Sequence, residues 1–161
     1  MPDTFVPADF EPPQELRTTD FVLVPLGPEH NERDHAAWSS SIDHIHATPG
    51  WDAFDDQDDP EPWPRPLTQA ENLRDLEMHA RHFRDREGFT YTVLDPSPGS
   101  DVIGCVYIYP PRDEDHDVRV QSWVRESSAE LDAPLWRAVS EWLASDDWPF
   151  QRVRYAPRVE G

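Results

Sequence analysis

The apolar positions of this 161-residue chain repeat with two periods, and each change of period marks a new element. "DFVLVPL" is a short apolar run that reads as a strand, and Pro25 confines it to a sheet edge or a strand end. In "PEHNERDHAAWSSSIDHI", His35, Trp38, Ile42 and Ile45 recur at spacings of three and four, which puts them on one helix face. "TPG" then stops that helix. The clearest helix is "TQAENLRDLEMHARHFRDREG". Thr68 and Glu71 form a capping box at its start, and Leu73, Leu76, Ala80 and Phe83 make its buried stripe. Arginines gather in its last turns, where the helix dipole favours cations, and Gly88 ends it.

The period then shortens to two. "FTYTVLD" is β-branched and aromatic, "PSPGS" is a turn, and the continuous apolar run "DVIGCVYIYP" predicts a strand covered on both faces. After the polar hairpin loop "PRDEDHD", the strand "VRVQSWV" alternates. Val118, Val120, Ser122 and Val124 lie on one side, and Arg119, Gln121 and Trp123 on the other. A last helix carries Leu135, Val139, Trp142 and Leu143; "SDDWPF" breaks it, and "RVRYAPR" is a final short strand. Strands joined by tight turns must be antiparallel. A strand that follows a crossover helix can lie parallel to its predecessor. The fold class is therefore α/β: a mixed, mostly antiparallel sheet flanked by helices.

Two stretches fall outside this pattern. Residues 1–15, rich in proline and acid, read as a flexible arm ahead of a single domain over 16–161. Trp51 to Trp63 carries six acids and no base and closes on "PWPRP", so it is an exposed loop. Charge extends that theme. There are 33 acidic residues against 14 basic ones, all of the latter arginine, for a net charge of −19. Such a surface repels nucleic acid and anionic membranes, and it suits solubility or a cationic partner. The lone Cys105 lies in an apolar run and reads as a buried, inert thiol, which fits a reducing cytoplasm. No apolar stretch reaches the length of a membrane span, and the N-terminus has no signal pattern.

The element order, with "FTYTVLD", "GSDVIGCVYIYP" and "VRVQSWVRE" at its centre, resembles the GNAT superfamily of N-acetyltransferases. "FVLVPLGPEH" is similar to the first strand of many of its members, and the likeness runs from Leu16 to Arg158. The resemblance implies acetyl-CoA as co-substrate and an amine acceptor, small or peptidic. In that family the strand before the third helix splays from its neighbour, and its free backbone groups pair with the pantetheine arm. That role would fall to Ser122 and Val124. The next loop would hold the pyrophosphate through the backbone of Ala129, Leu131, Asp132 and Ala133, where orphan N–H donors and the helix dipole attract an anion.

This chain departs from the family pattern in that loop. Ala129 stands where a base is usual, and Glu130, Asp132 and Pro134 stand where glycines are usual. A carboxylate repels phosphate, a proline has no N–H, and Asp132 is positioned to act as the helix N-cap. The usual C-terminal helix and strands are also missing after "RVRYA". The family's tyrosine on that helix has no counterpart, since Tyr155 lies on the strand, and the bare sheet edge invites a second copy.

Transfer of an acetyl group to an amine needs a base; His116, Asp117 and Glu126, at the two ends of the central strand, are the candidates, with Glu126 nearest the expected thioester. Trp51, Asp55, Asp56 and Trp63, in the acidic aromatic loop, are candidates for holding a cationic acceptor. His79 with His82, and His44 with His46, read as surface histidines rather than metal ligands, because the helical pair is spaced i, i+3 and no cysteine helps. Three functions stay open: an N-acyltransferase, a non-catalytic binding or dimerisation module on the same fold, and, behind these, a metal-binding protein that uses its histidines.

Overall fold

The computed structural model describes residues 5–51, 63–97 and 101–158. Among these, six strands form one sheet in sequence order: β1 (Leu16–Arg17), β2 (Val22–Pro25), β3 (Phe89–Leu94), β4 (Val102–Tyr109), β5 (Val118–Val124) and β6 (Val153–Tyr155). Every neighbouring pair is antiparallel except β5 and β6, which are parallel, as the crossover helix between them requires. The two-residue β1 is an addition to the pattern read from sequence.

Both faces of the sheet are covered. On one face, α1 (Asn31–Ser39), α2 (Ile42–His46) and α3 (Gln69–Arg84) enclose Trp38, Ile45, Trp51, Leu76, Tyr107 and Trp123. On the other, α4 (Asp132–Leu143) sets Leu135, Val139, Trp142 and Leu143 against Val106, Ile108, Val118, Val120 and Val124. β4 explains its own unbroken hydrophobicity, because its alternate residues serve the two cores.

Three features differ in detail from the pattern read in sequence. The first helical stretch divides into a 3-10 turn (Pro28–His30), α1 and α2, with the break at Ser40. The buried side of α3 is centred on Asn72 and Leu76, while Leu73, Ala80 and Phe83 are only partly buried. Asn72 is tolerated inside because its amide donates to Asp34 Oδ2 (3.1 Å) and Asn31 Oδ1 (2.9 Å) and accepts from Trp38 Nε1 (3.1 Å). The capping box forms as expected, with Glu71 N–H on Thr68 Oγ1 and Thr68 N–H on Glu71 Oε1. At the other end, the left-handed residue is Arg86 (φ 59°) and not Gly88. Its guanidinium donates to Phe10 O (2.7 Å), which holds it in that conformation. Gly88 serves close packing instead, since a Cβ there would stand 2.2 Å from the Tyr109 ring.

The proline-rich opening has no helix or strand over residues 5–15, in keeping with its composition. It is nevertheless docked. Val6 is 3% exposed, Phe5 stacks on Phe89, Phe10 meets the same ring edge-on, and Tyr91 donates its hydroxyl to Pro13 O. Three apolar side chains spaced among prolines were enough to add this segment to the core.

Candidate functional site

Two concave features flank the central strands. The first is a cavity of about 340 Å³ between α1, α3 and the face of β4. Trp51, Trp63, Tyr107 and Tyr109 give it aromatic walls, and Asp34, Asp75, His79 and His82 supply titratable groups. Arg112 and Arg119 border it on the side of the β4–β5 hairpin. The tryptophans are fixed by one another: Trp51 Nε1 donates to Trp63 O (3.3 Å), and Trp63 packs on Trp38 and Trp123.

Burial shifts the ionisable groups of this cavity. Asp34 is 4% exposed, and desolvation raises its pKa to about 6 against the pull of the Asn72 hydrogen bond. Desolvation, helped by neighbouring His82, lowers His79 to about 4, so His79 is neutral at physiological pH. Its Nδ1 lies 2.9 Å from both the Tyr109 hydroxyl and Thr90 Oγ1, and His82 Nδ1 lies 3.0 Å from that same tyrosine oxygen. With Nδ1 engaged, Nε2 is the His79 nitrogen left for a ligand. The histidine pair expected at the surface thus lines the cavity. Its signal was the i, i+3, i+7 spacing of Asn72, Asp75 and His79, which a search for apolar stripes passes over. Among the described residues no cluster of histidine, cysteine, aspartate and glutamate could hold a metal ion. Cys105 is 1% exposed, and burial pushes its thiol well above the usual range.

The second feature is a cleft at the end of the parallel pair. β5 and β6 are in register only at Val118 with Val153, Arg119 with Arg154 and Val120 with Tyr155. Beyond that point β5 runs on to Val124 paired with β4 on one edge and, among the described residues, with no strand on the other. The N–H and C=O of Ser122 face this gap, and strand alternation turns those of Val124 the same way. Side chains fill the gap. Gln121 Oε1 accepts from Ser122 N–H (2.8 Å), Arg158 donates to Ser122 O (2.9 Å), and the hydroxyls of Ser122 and Tyr155 are hydrogen-bonded.

The remaining residues read from sequence spread around these two features. Glu126 is exposed where β5 leaves the sheet, and its N–H is capped by Ser41 Oγ (2.9 Å). His116 sits in the β4–β5 hairpin with Nδ1 2.8 Å from Asp113 Oδ1, beside a smaller cavity of about 330 Å³ that includes Arg119, Arg154 and Tyr155. Asp117 is a structural carboxylate: it accepts from the N–H groups of Gln151 and Arg152 and anchors the approach to β6. Those backbone bonds hold its pKa below the usual value. Ala129 and Leu131 belong to a 3-10 turn (Glu126–Leu131) that runs directly into α4, where Asp132 and Ala133 follow. The Asp132 N–H therefore donates to Ala129 O, and the N-cap of α4 is Leu131, without a side-chain bond. Asp132 was expected to cap the helix; it instead turns its carboxylate to Arg158 at 2.9 Å, the stronger partner. Asp55 and Asp56 lie outside the described residues.

No protein-family model matches the sequence, and no curated protein matches it. Solved structures do match in shape. Ribosomal-protein-S5-alanine acetyltransferase from Vibrio fischeri superposes with a TM-score of 0.56 at 14% identity, over 80% of this chain and 66% of that one. RimL, a ribosomal L7/L12 alpha-N-protein acetyltransferase, gives 0.53 at 11% identity, over 79% and 62%, and is also known in complex with coenzyme A. A third structure, of a probable acetyltransferase, gives 0.61 at 12% identity, over 91% and 76%. This chain thus spans just under two thirds of the first two. At such identities the likeness is one of architecture, and the conclusion it carries is that the chain has the GNAT fold.

Proposed function

We propose that the domain is an N-acyltransferase that moves an acetyl group from acetyl-CoA to an amine. The observation that supports this most is the parting of β5 and β6 after Val120 and Tyr155. It leaves one edge of β5 able to pair with an extended amide-bearing chain such as pantetheine, through Ser122 and Val124. RimL, which shares the fold, is known with coenzyme A. Bound there, acetyl-CoA would supply an activated acyl group.

The chain's own residues supply the rest. Trp51, Trp63 and Tyr107 form an aromatic wall suited to a cationic amine, and Asp75 adds charge complementarity. His79, neutral at physiological pH and enclosed, is the group we assign to accept a hydrogen bond from the amine once its ammonium proton has left to solvent. Its enclosed position supports it over Glu126 and His116, which lie nearer solvent at the two ends of β5. The fit to the phosphate end is poor: Asp132 and Pro134 open α4, and the preceding 3-10 turn consumes donors that an anion would need. That mismatch favours a second reading, a module that binds a cationic partner without chemistry.

Calorimetric titration with acetyl-CoA, with thermal unfolding alongside, separates the two. The transferase reading expects saturable micromolar binding and about 2.7 kcal/mol of added stability at a hundredfold excess over Kd. No heat and no change in Tm at millimolar acetyl-CoA retires it in favour of the second.

A further inference from the structure

The segment after β6 folds back into the cleft and delivers Arg158 to it. Arg158 is 6% exposed, the most buried arginine side chain among the described ion pairs. All three of its nitrogens are used. Nη2 donates to Ser122 O (2.9 Å) and Gln121 Oε1 (2.7 Å), Nη1 to Ala156 O (2.7 Å), and Nε to Asp132 Oδ2 (2.9 Å). The guanidinium also lies over the Tyr155 ring, 5.7 Å from its centroid. Gln121, which takes the Ser122 N–H, is itself pinned by Nε2 donating to Pro49 O (3.0 Å). Both main-chain groups that Ser122 turns toward the cleft are therefore engaged.

We propose that Arg158 is the resting occupant of the cleft between β5 and β6, a lock that must withdraw before any extended ligand pairs with Ser122. The ligand so gated is an acyl-CoA if the function proposed above holds, and to that extent the inference rests on it. The lock is well made for the purpose. The guanidinium fork meets two carbonyls, an amide oxygen and a carboxylate at once, which a lysine could not do. It also explains an acid at the start of α4. Asp132 would repel a phosphate if bare, but paired with Arg158 it is neutralised and serves as the catch. One of its oxygens, Oδ1, is buried with no hydrogen-bond partner, so the pair is held by its charge-assisted bond and is short of full satisfaction. Withdrawal of Arg158 would expose a strand edge and a carboxylate together. Release is thus coupled to an incoming extended chain that can pair with β5 in place of Arg158 and Gln121.

The test uses the full chain and the double variant R158Q/D132N, which removes both charges so that neither is left buried alone. Amide exchange across residues 121–124 reports closure without any ligand, and acetyl-CoA titration reports access. We expect exchange at Ser122 and its neighbours to quicken by about tenfold or more, and acetyl-CoA to bind the double variant about tenfold more tightly than wild type. Unchanged exchange at 121–124 overturns the lock. So does measurable binding of acetyl-CoA with the same affinity to wild type and variant. Faster exchange with no acetyl-CoA binding by either protein upholds the lock and overturns the transferase reading instead. R158K, which keeps the charge and loses the fork, carries the same two measurements should the double variant fail to fold.

Discussion

Asp34 and His79 face one cavity from two helices, and burial moves both toward their neutral forms with opposite consequences for acid stability. Asp34 is raised from 3.8 to about 6, so the folded state holds its proton better than the unfolded state does. Its favourable contribution is present at low pH and is lost as pH rises through 6. His79 is lowered from 6.5 to about 4, so the unfolded state holds its proton better. Its contribution is present above 6.5 and is lost as pH falls through 4. Between about pH 4 and 6 the two slopes oppose. Asp34→Asn should therefore gain stability relative to wild type as pH rises through that window, and His79→Gln should gain as pH falls, each by on the order of 2 kcal/mol. Urea unfolding at a series of pH values measures this, and parallel slopes for the two variants would contradict it. The capping box was legible in sequence because it depends on residues near in the chain. His79 and Arg158 were not. His79 shares a helix face with Asn72, whose acceptability inside depends on Asp34 and Trp38, far off in sequence. Arg158 gains meaning only when the end of β6 meets the start of α4.

At the level of elements, strand identity was readable for a physical reason: β3, β4 and β5 are rich in branched and aromatic residues, and β4 must satisfy two cores at once. The parallel β5–β6 pair followed from the crossover helix. What composition could not show is how far that pairing runs, since the three-residue contact ends through the path taken after Tyr155. Close approach within the sheet is likewise hidden. Gly104 sits opposite Val124, and a Cβ there would stand 2.0 Å from the Trp123 carbonyl oxygen. Backbone cannot yield as a side-chain tip does. Gly104→Ala should therefore spread β4 from β5 and cost about 1–3 kcal/mol, read as a lowered urea midpoint. An unchanged midpoint would mean the ladder accommodates the methyl group without strain.

For the molecule as a whole, charge sets the terms. A net charge of −19 on 161 residues means that folding concentrates like charges. The ion pairs that offset them are mostly exposed: side chains in the Arg17–Glu15, Arg84–Asp85 and Arg152–Asp117 pairs are 32–69% accessible, so each adds little. Arg158–Asp132, at 2% and 23%, is the sheltered exception. Added salt should then act on two populations. It screens the long-range repulsion among carboxylates, because the Debye length falls from about 10 Å at 0.1 M to about 3 Å at 1 M. It scarcely touches the sheltered pair that closes the cleft. Tm should accordingly rise by several degrees between low salt and molar sodium chloride, while exchange at residues 121–124 keeps its protection relative to the rest of the sheet. A Tm that falls with salt would mean that the exposed pairs hold the fold, and selective loss of protection at the cleft would mean that Arg158 is held by attraction that solvent ions can reach.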